Sequence, residues 1–188
     1  MLKNKLFAIL MFGAIASSSA MAADGTIIMS GELVAGTCKI GGVALDGTVH
    51  SVLNFDLGKL PVSTFSTAGI AGPTVTNYFD GAVKLTNCTP SSAITMVINS
   101  GSGGISTLDL TNNGFKNTAT TGAATNVISQ IIDLSSNNVV NVAQSTGISK
   151  TTDATGTVTF NIGSRFYSTG VATAGTFSAN GVFNFIYQ

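Results

Sequence analysis

Charge is what this chain has least of. Asp, Glu, Lys and Arg together make up 9% of its 188 residues, and His50 is its single histidine. Tryptophan is absent, proline occurs three times and cysteine twice. With so few ionisable groups there is no basic patch, which argues against nucleic acid and anionic membranes as partners. Two cysteines and one distant histidine do not make a tetrahedral metal set. Long apolar runs are lacking too. The best, from Leu6 to about Ala16, falls well short of the ~20 residues that span a bilayer. It follows Lys3 and Lys5 and leads to Ala20-Met21-Ala22, the basic, apolar and small-residue regions of a secretory signal. Residues 1–22 are therefore expected to be removed, with Ala23 opening the mature chain.

Catalytic equipment is thin as well. His50, in "DGTVHSVLNF", reads as an exposed strand or turn residue. There is no G-x-S-x-G elbow and no phosphate loop. "GSGGIS" has Ser106 where a dinucleotide loop needs its third glycine, and no helix pattern follows it. Asp46, Asp56 and Asp80 stand singly near glycines or strand ends, where turn and capping roles explain them. "NCT" at Asn87 is a formal glycosylation sequon beside a cysteine expected to be buried. Nothing here supports an enzyme, and no cofactor or metal is expected. A secreted β-sandwich hydrolase would need acid–base residues that the sequence does not offer.

What the chain does have is period-two apolar patterning and many turn residues. Without the signal it carries six basic and eight acidic residues, a net charge of −2. Its surface must then be built of Ser, Thr, Asn and Gly, which suits packing against other copies because few ions need desolvation. Val83 and Leu85 alternate with Ala82, Lys84, Thr86 and Cys88; Ile94, Met96 and Ile98 share a face, as do Val158, Phe160 and Ile162. "VISQIIDL" and "VVNVA" are strand-like, and "GKLPVSTFSTAGIAG" leaves room for one short helical turn. Clusters such as "NSGSGG", "TNNG" and "SSNN" separate these runs, and the polar stretch 99–126 reads as surface loop with one or two short strands. Short strands with turn signals about every ten residues indicate an all-β sandwich. Cys38 and Cys88, an even pair in an exported chain, are expected to form a disulfide, with two free thiols as the alternative.

The two ends of the mature chain are complementary. The last strand, from about Thr176 to Tyr187, puts Phe177, Phe183, Phe185 and Tyr187 on one face, and nothing follows Gln188 to cover its edge. An apolar groove beside an unpaired edge is the expected result, a hazard unless something fills it. The segment before Cys38 alternates in the same way, with Gly25, Ile27, Met29, Gly31 and Leu33 on one face. It is either an ordinary first strand or a strand donated to the groove of another copy. Burying Ile27, Met29 and Leu33 there would contribute roughly 1.5–3 kcal/mol each.

These residues resemble a family, the fimbrial subunits of the bacterial chaperone–usher pathway, of the type 1 pilus kind. "GTIIMSGELVAGTC" is similar to the family's donor segment and first cysteine, and "VKLTNC" to the strand with its second. "SRFYSTGVATAGTFSANGVFNFIYQ" resembles its closing signature: Phe166-Tyr167, Ala174-Gly175 with the glycine fourteenth from the end, and penultimate Tyr187. The resemblance implies an incomplete immunoglobulin-like β-sandwich lacking its C-terminal strand, completed by donor-strand complementation. It implies a signal peptide at 1–22, a donor extension at 23–36 and a pilin domain at 37–188. A periplasmic chaperone would lend a strand to the groove and hold the carboxylate of Gln188. At an outer-membrane usher, the extension of another subunit would replace that strand, with Gly31 at the family's donor glycine. The implied function is a structural subunit, of the major kind, in a surface fibre for cell adhesion, with any host glycan met through a tip subunit. The alternative is a minor tip, adaptor or glycan-binding subunit. The extension before Cys38 is shorter than in many major rod subunits, which favours that alternative, while domain length favours a major subunit.

Overall fold

The structure, a computed structural model, describes residues 38–41, 53–76, 82–101, 104–142 and 146–188. The expected signal, the donor positions Gly25, Ile27, Met29, Gly31 and Leu33, and His50, Asp46 and Asp80 lie outside the described residues. Eleven strands are described: β1 (Lys39–Gly41), β2 (Val75–Thr76), β3 (Ala82–Thr86), β4 (Ala93–Ser100), β5 (Leu108–Asp109), β6 (Gly114–Lys116), β7 (Val127–Asp133), β8 (Asn138–Val139), β9 (Ile148–Thr151), β10 (Val158–Ser168) and β11 (Gly181–Tyr187). Two 3-10 turns, Val62–Phe65 and Gly104–Thr107, complete the element order. The first falls within the stretch where the sequence left room for a short helical turn.

The strands form two antiparallel sheets. The larger runs β1-β3-β10-β7-β6-β5, with β2 added on β10 and β8 on β7; the smaller runs β11-β4-β9. Their inner faces pack into one core, in which Val83, Leu85, Phe160 and Ile162 of the large sheet meet Ile94, Met96, Ile98 and Phe185 of the small one. The Phe160 and Phe185 rings lie 5.5 Å apart across it. This is an immunoglobulin-like sandwich in which Val, Ile, Phe and Thr fill the pleats and Asn and Gly turn the chain. Several turns rest on asparagines with left-handed backbones, Asn113, Asn126 and Asn137 among them.

Strict alternation describes β3, whose residues alternate half-buried and buried. It fails in β4 and β7, where both faces are covered: Thr95 and Val97 are buried with Ile94 and Met96, and Ile128, Gln130 and Ile132 with Ile131. Polar groups on these second faces are satisfied, Thr95 by the Ser149 hydroxyl at 2.7 Å and Gln130 by the Asn112 carbonyl and the Arg165 guanidinium. Among the described residues no buried polar side-chain atom lacks a partner. Stretch 99–126 contributes more to the core than its polarity predicts, because Leu108 and Phe115 are each 4% exposed.

Cys38 and Cys88 are joined in a disulfide that links the start of β1 to the end of β3. Period two would put Cys88 on the face of Lys84. Instead Asn87, with φ of 57°, turns the chain, and Cys88 enters the core with Val83 and Leu85. The Cys88 amide donates to the Gly156 carbonyl at 2.9 Å. Gly156 has φ of 71°, and an added Cβ would collide with the Cys88 carbonyl oxygen. Closing a loop with a separation of 50 residues stabilises the chain by about 4 kcal/mol in the entropic account. Replacing Cys38 and Cys88 by serine is expected to lower unfolding free energy by about that amount, measured by denaturant titration. Gly156→Ala should lower it by about 2 kcal/mol through left-handed strain and collision.

Candidate functional site: an apolar groove between two open edges

The site begins at β11. Its odd residues turn inward, with Phe185 7% exposed and Phe183 and Tyr187 packed against the core, while Val182 (46%) and Ile186 (42%) face outward. On one side β11 pairs with β4 along its whole length, from Gly181 opposite Ser100 to Tyr187 opposite Ile94. On its other side no strand pairs with it among the described residues. Its backbone there presents amides and carbonyls that a further strand would satisfy.

The segment 53–60 lines the same groove as Gly181, Val182 and Phe183 at the start of β11. Its burial alternates: Leu53, Phe55 and Leu57 are half-buried, and Asn54, Asp56 and Gly58 are exposed. That is strand-like, yet no described ladder pairs it with a strand. Asp56 accepts a hydrogen bond from the Gly58 amide at 2.9 Å, the turn role expected of it. Between 53–60 and the β11 side lies a groove of about 1210 Å³. Its floor is the inner face of the large sheet, including Ile131, Ile162, Ser129, Ser164 and Phe166. Ser129 and Ser164 share a buried 2.7 Å hydrogen bond, so these hydroxyls are not orphaned under an apolar ligand.

The structure separates the residues that the sequence grouped on the last strand. Phe177 and Phe183 line the groove, whereas Phe185 packs on Phe160 below it and Tyr187 lies half-buried against the core. Gln188 is exposed and donates its amide to the Ala93 carbonyl at 3.0 Å. The whole opposite bank, 53–60, escaped the sequence reading, although "LNFDL" alternates plainly. So did Phe65, Ser129 and Ser164, whose placement depends on pairing between distant segments. Gly175 has a steric reason for being glycine: an added Cβ would collide with the Ala124 amide nitrogen. That close approach lets Thr176 exchange backbone bonds with Gly122 and Ala124, at 2.7 and 2.9 Å, and so fixes the entry to Phe177.

Titratable chemistry is sparse here. Among the described residues no group of three or more His, Cys, Asp or Glu could hold a metal. Asp153 is held below the ordinary carboxylate range, first by the Thr155 hydroxyl and then by the Thr157 amide, in an exposed turn. What the groove offers is shape, apolar surface and, among the described residues, two backbones without a ladder partner on the groove side.

No protein-family model and no curated protein sequence matches the chain. Solved structures do match it. A subunit of a chaperone–usher pilus, from work on rod uncoiling, superposes with a TM-score of 0.59 at 17% identity, over 87% of this chain and 95% of that one. The P pilus rod subunit PapA superposes with a TM-score of 0.55 at 18% identity, over 80% and 99%. The chain has the fold of a pilus rod subunit. The CupB6 tip adhesin of Pseudomonas aeruginosa shares the fold over part of its length, with a TM-score of 0.51 at 11% identity, over 71% of this chain and 35% of the adhesin. Within this pilin fold, Gly175→Val is expected to lower unfolding free energy by about 1–3 kcal/mol through overpacking, read as a shifted denaturant midpoint.

Proposed function

We propose that this chain is a structural subunit, of the major rod kind, of a chaperone–usher fimbrium, and that it polymerises by donor-strand exchange. The observation that carries this is the groove, with the β11 edge on one bank and 53–60 on the other, neither laddered on that side among the described residues. One extended strand laid between them would satisfy both backbones and cover the apolar floor. The candidate strand is residues 23–33 of a second copy, whose Gly25, Ile27, Met29, Gly31 and Leu33 share one face. On this reading a periplasmic chaperone fills the groove first and binds at Gln188. The exchange takes place at an outer-membrane usher, and the product is an extracellular fibre serving adhesion, with any glycan bound by a tip subunit. The rod kind is favoured because two pilus subunits align over 95% and 99% of their own lengths, and the tip adhesin over 35%.

Deletion of residues 23–30 is the direct test. The shortened subunit should fold, accumulate with its chaperone and fail to enter fibres; normal fibres from the deleted chain would refute strand donation by this segment. The rod role is checked by quantifying the subunit in sheared surface fibres, where it should be the dominant component. A trace amount would assign it to a minor position.

A further inference from the structure

The groove is closed at one end. The bank 53–60 continues through Pro61 into the 3-10 turn that ends at Phe65, and the Phe65 carbonyl accepts a hydrogen bond from the Ala172 amide at 3.0 Å. Phe65 stands edge-to-face on Phe166, with centroids 6.2 Å apart, and Phe166 edge-to-face on Phe177, with centroids 5.0 Å apart. These contacts join the two banks. Phe177 lies shortly before β11, so β11 runs away from the rings while 53–60 runs towards them.

Among the described residues one cation, Lys59, and one carboxylate, Asp56, line this groove. Asp56 is engaged by the Gly58 amide. Lys59 has no hydrogen-bond or ion-pair partner among the described residues. Its placement is set by Gly58. By period two Lys59 would follow Leu53, Phe55 and Leu57 inward, but Gly58 has φ of 67°, and beyond it Leu60 is half-buried and Lys59 exposed. An added Cβ on Gly72 would lie 3.3 Å from Leu60 and 3.2 Å from Phe65, so Lys59 stands at the rim of the closed end.

A strand entering this groove has a preferred direction, because antiparallel pairing with β11 is slightly the more stable. Such a strand has its N-terminus at the Tyr187 end of β11 and its C-terminus at the Gly181 end, nearest the rings. The charged residues of the candidate donor, 23–33, are Asp24 and Glu32, one near each end. Both face outward when Ile27, Met29 and Leu33 face the floor. Residues 27–33 match the seven residues of β11 in length. Laid antiparallel along it, they put Glu32 beside Val182, which lines the groove with Lys59, and leave Asp24 beyond Tyr187.

We propose that Lys59 is the counter-ion of Glu32 of a second copy, and that this pair sets the direction and register of the donated strand. This rests on the donor-strand reading above. The apolar face alone specifies register weakly, because a slip by two residues still turns the odd positions inward. Such a slip carries Glu32 about 7 Å along the groove, away from Lys59. A reversed strand brings Asp24 to the rings in place of Glu32. Rim charges act mainly on encounter, so the pair selects correct docking more than it tightens the finished joint.

The test is a charge swap in the full chain, read as the subunit in sheared fibres relative to the amount accumulated in the periplasm. Each copy is both donor and acceptor, so Lys59→Glu sets two carboxylates together at every joint and Glu32→Lys two ammoniums. Each single variant should lower assembly about tenfold. The double variant restores an opposite pair with the signs exchanged and should return to within about twofold of the native chain. Lys59→Glu combined with Asp24→Lys should stay low. Native-level assembly of both single variants overturns the pair, and so does a double variant no better than the singles. Recovery through Asp24→Lys in place of Glu32→Lys overturns the assigned direction. Deletion of residues 23–30, which leaves Glu32 and Lys59 in place, separates the two ideas. If it leaves assembly intact, strand donation itself falls; if it abolishes assembly while the charge variants assemble normally, the pair alone falls.

Discussion

Backbone hydrogen bonding at a strand edge is the constraint on which this structure turns. Each residue carries an amide and a carbonyl that need partners once apolar side chains exclude water around them. In the interior of both sheets the ladders supply those partners, and β10 is the extreme case, held by β7 on one edge and by β3 and β2 on the other. At β11 the described residues supply no partner on one side, where Phe183 and much of the floor beneath it are apolar. Hydrophobic and hydrogen-bonding requirements converge on one solution, an extended segment with apolar residues at every second position. On the proposed function, assembly is this intramolecular requirement met between molecules.

The rest of the molecule keeps that groove from collapsing. The disulfide holds β1 to β3, and the Gly156 carbonyl binds the Cys88 amide. The core between Phe160 and Phe185 holds the sheets apart along the final strand. The Ala172 amide bonds to the Phe65 carbonyl and ties the two banks together, while the bonds of Thr176 to the 122–124 loop anchor the segment leading to β11. Scarcity of charge belongs to the same picture, because an apolar trough lined by few ions presents little desolvation cost to an incoming strand.

Much of this was legible in the chain. The Val83/Leu85 pair and the Ile94/Met96/Ile98 and Val158/Phe160/Ile162 triplets are local patterns, fixed by the pleat, and each faces the core as its spacing requires. The two cysteines pair as their even count suggested. The places where spacing misled are those where something other than the pleat acts. Asn87 reverses the face of Cys88 by a left-handed backbone, and Thr95, Val97 and Gln130 are buried on faces that alternation would leave wet. The segment 53–60 alternates but has no ladder among the described residues, so its significance appears only when it is seen lining one groove with the start of β11.

The sequence by itself determined that this is a β-rich, charge-poor chain whose last strand is apolar on one face. Those properties follow from composition and from contacts between near neighbours in sequence. Tertiary structure alone decided that the groove has two banks, that Ser129 and Ser164 bond to each other in its floor, and that Phe65, Phe166 and Phe177 close one end. Those residues are up to about a hundred positions apart, and no local periodicity carries information about which distant strand will become a neighbour.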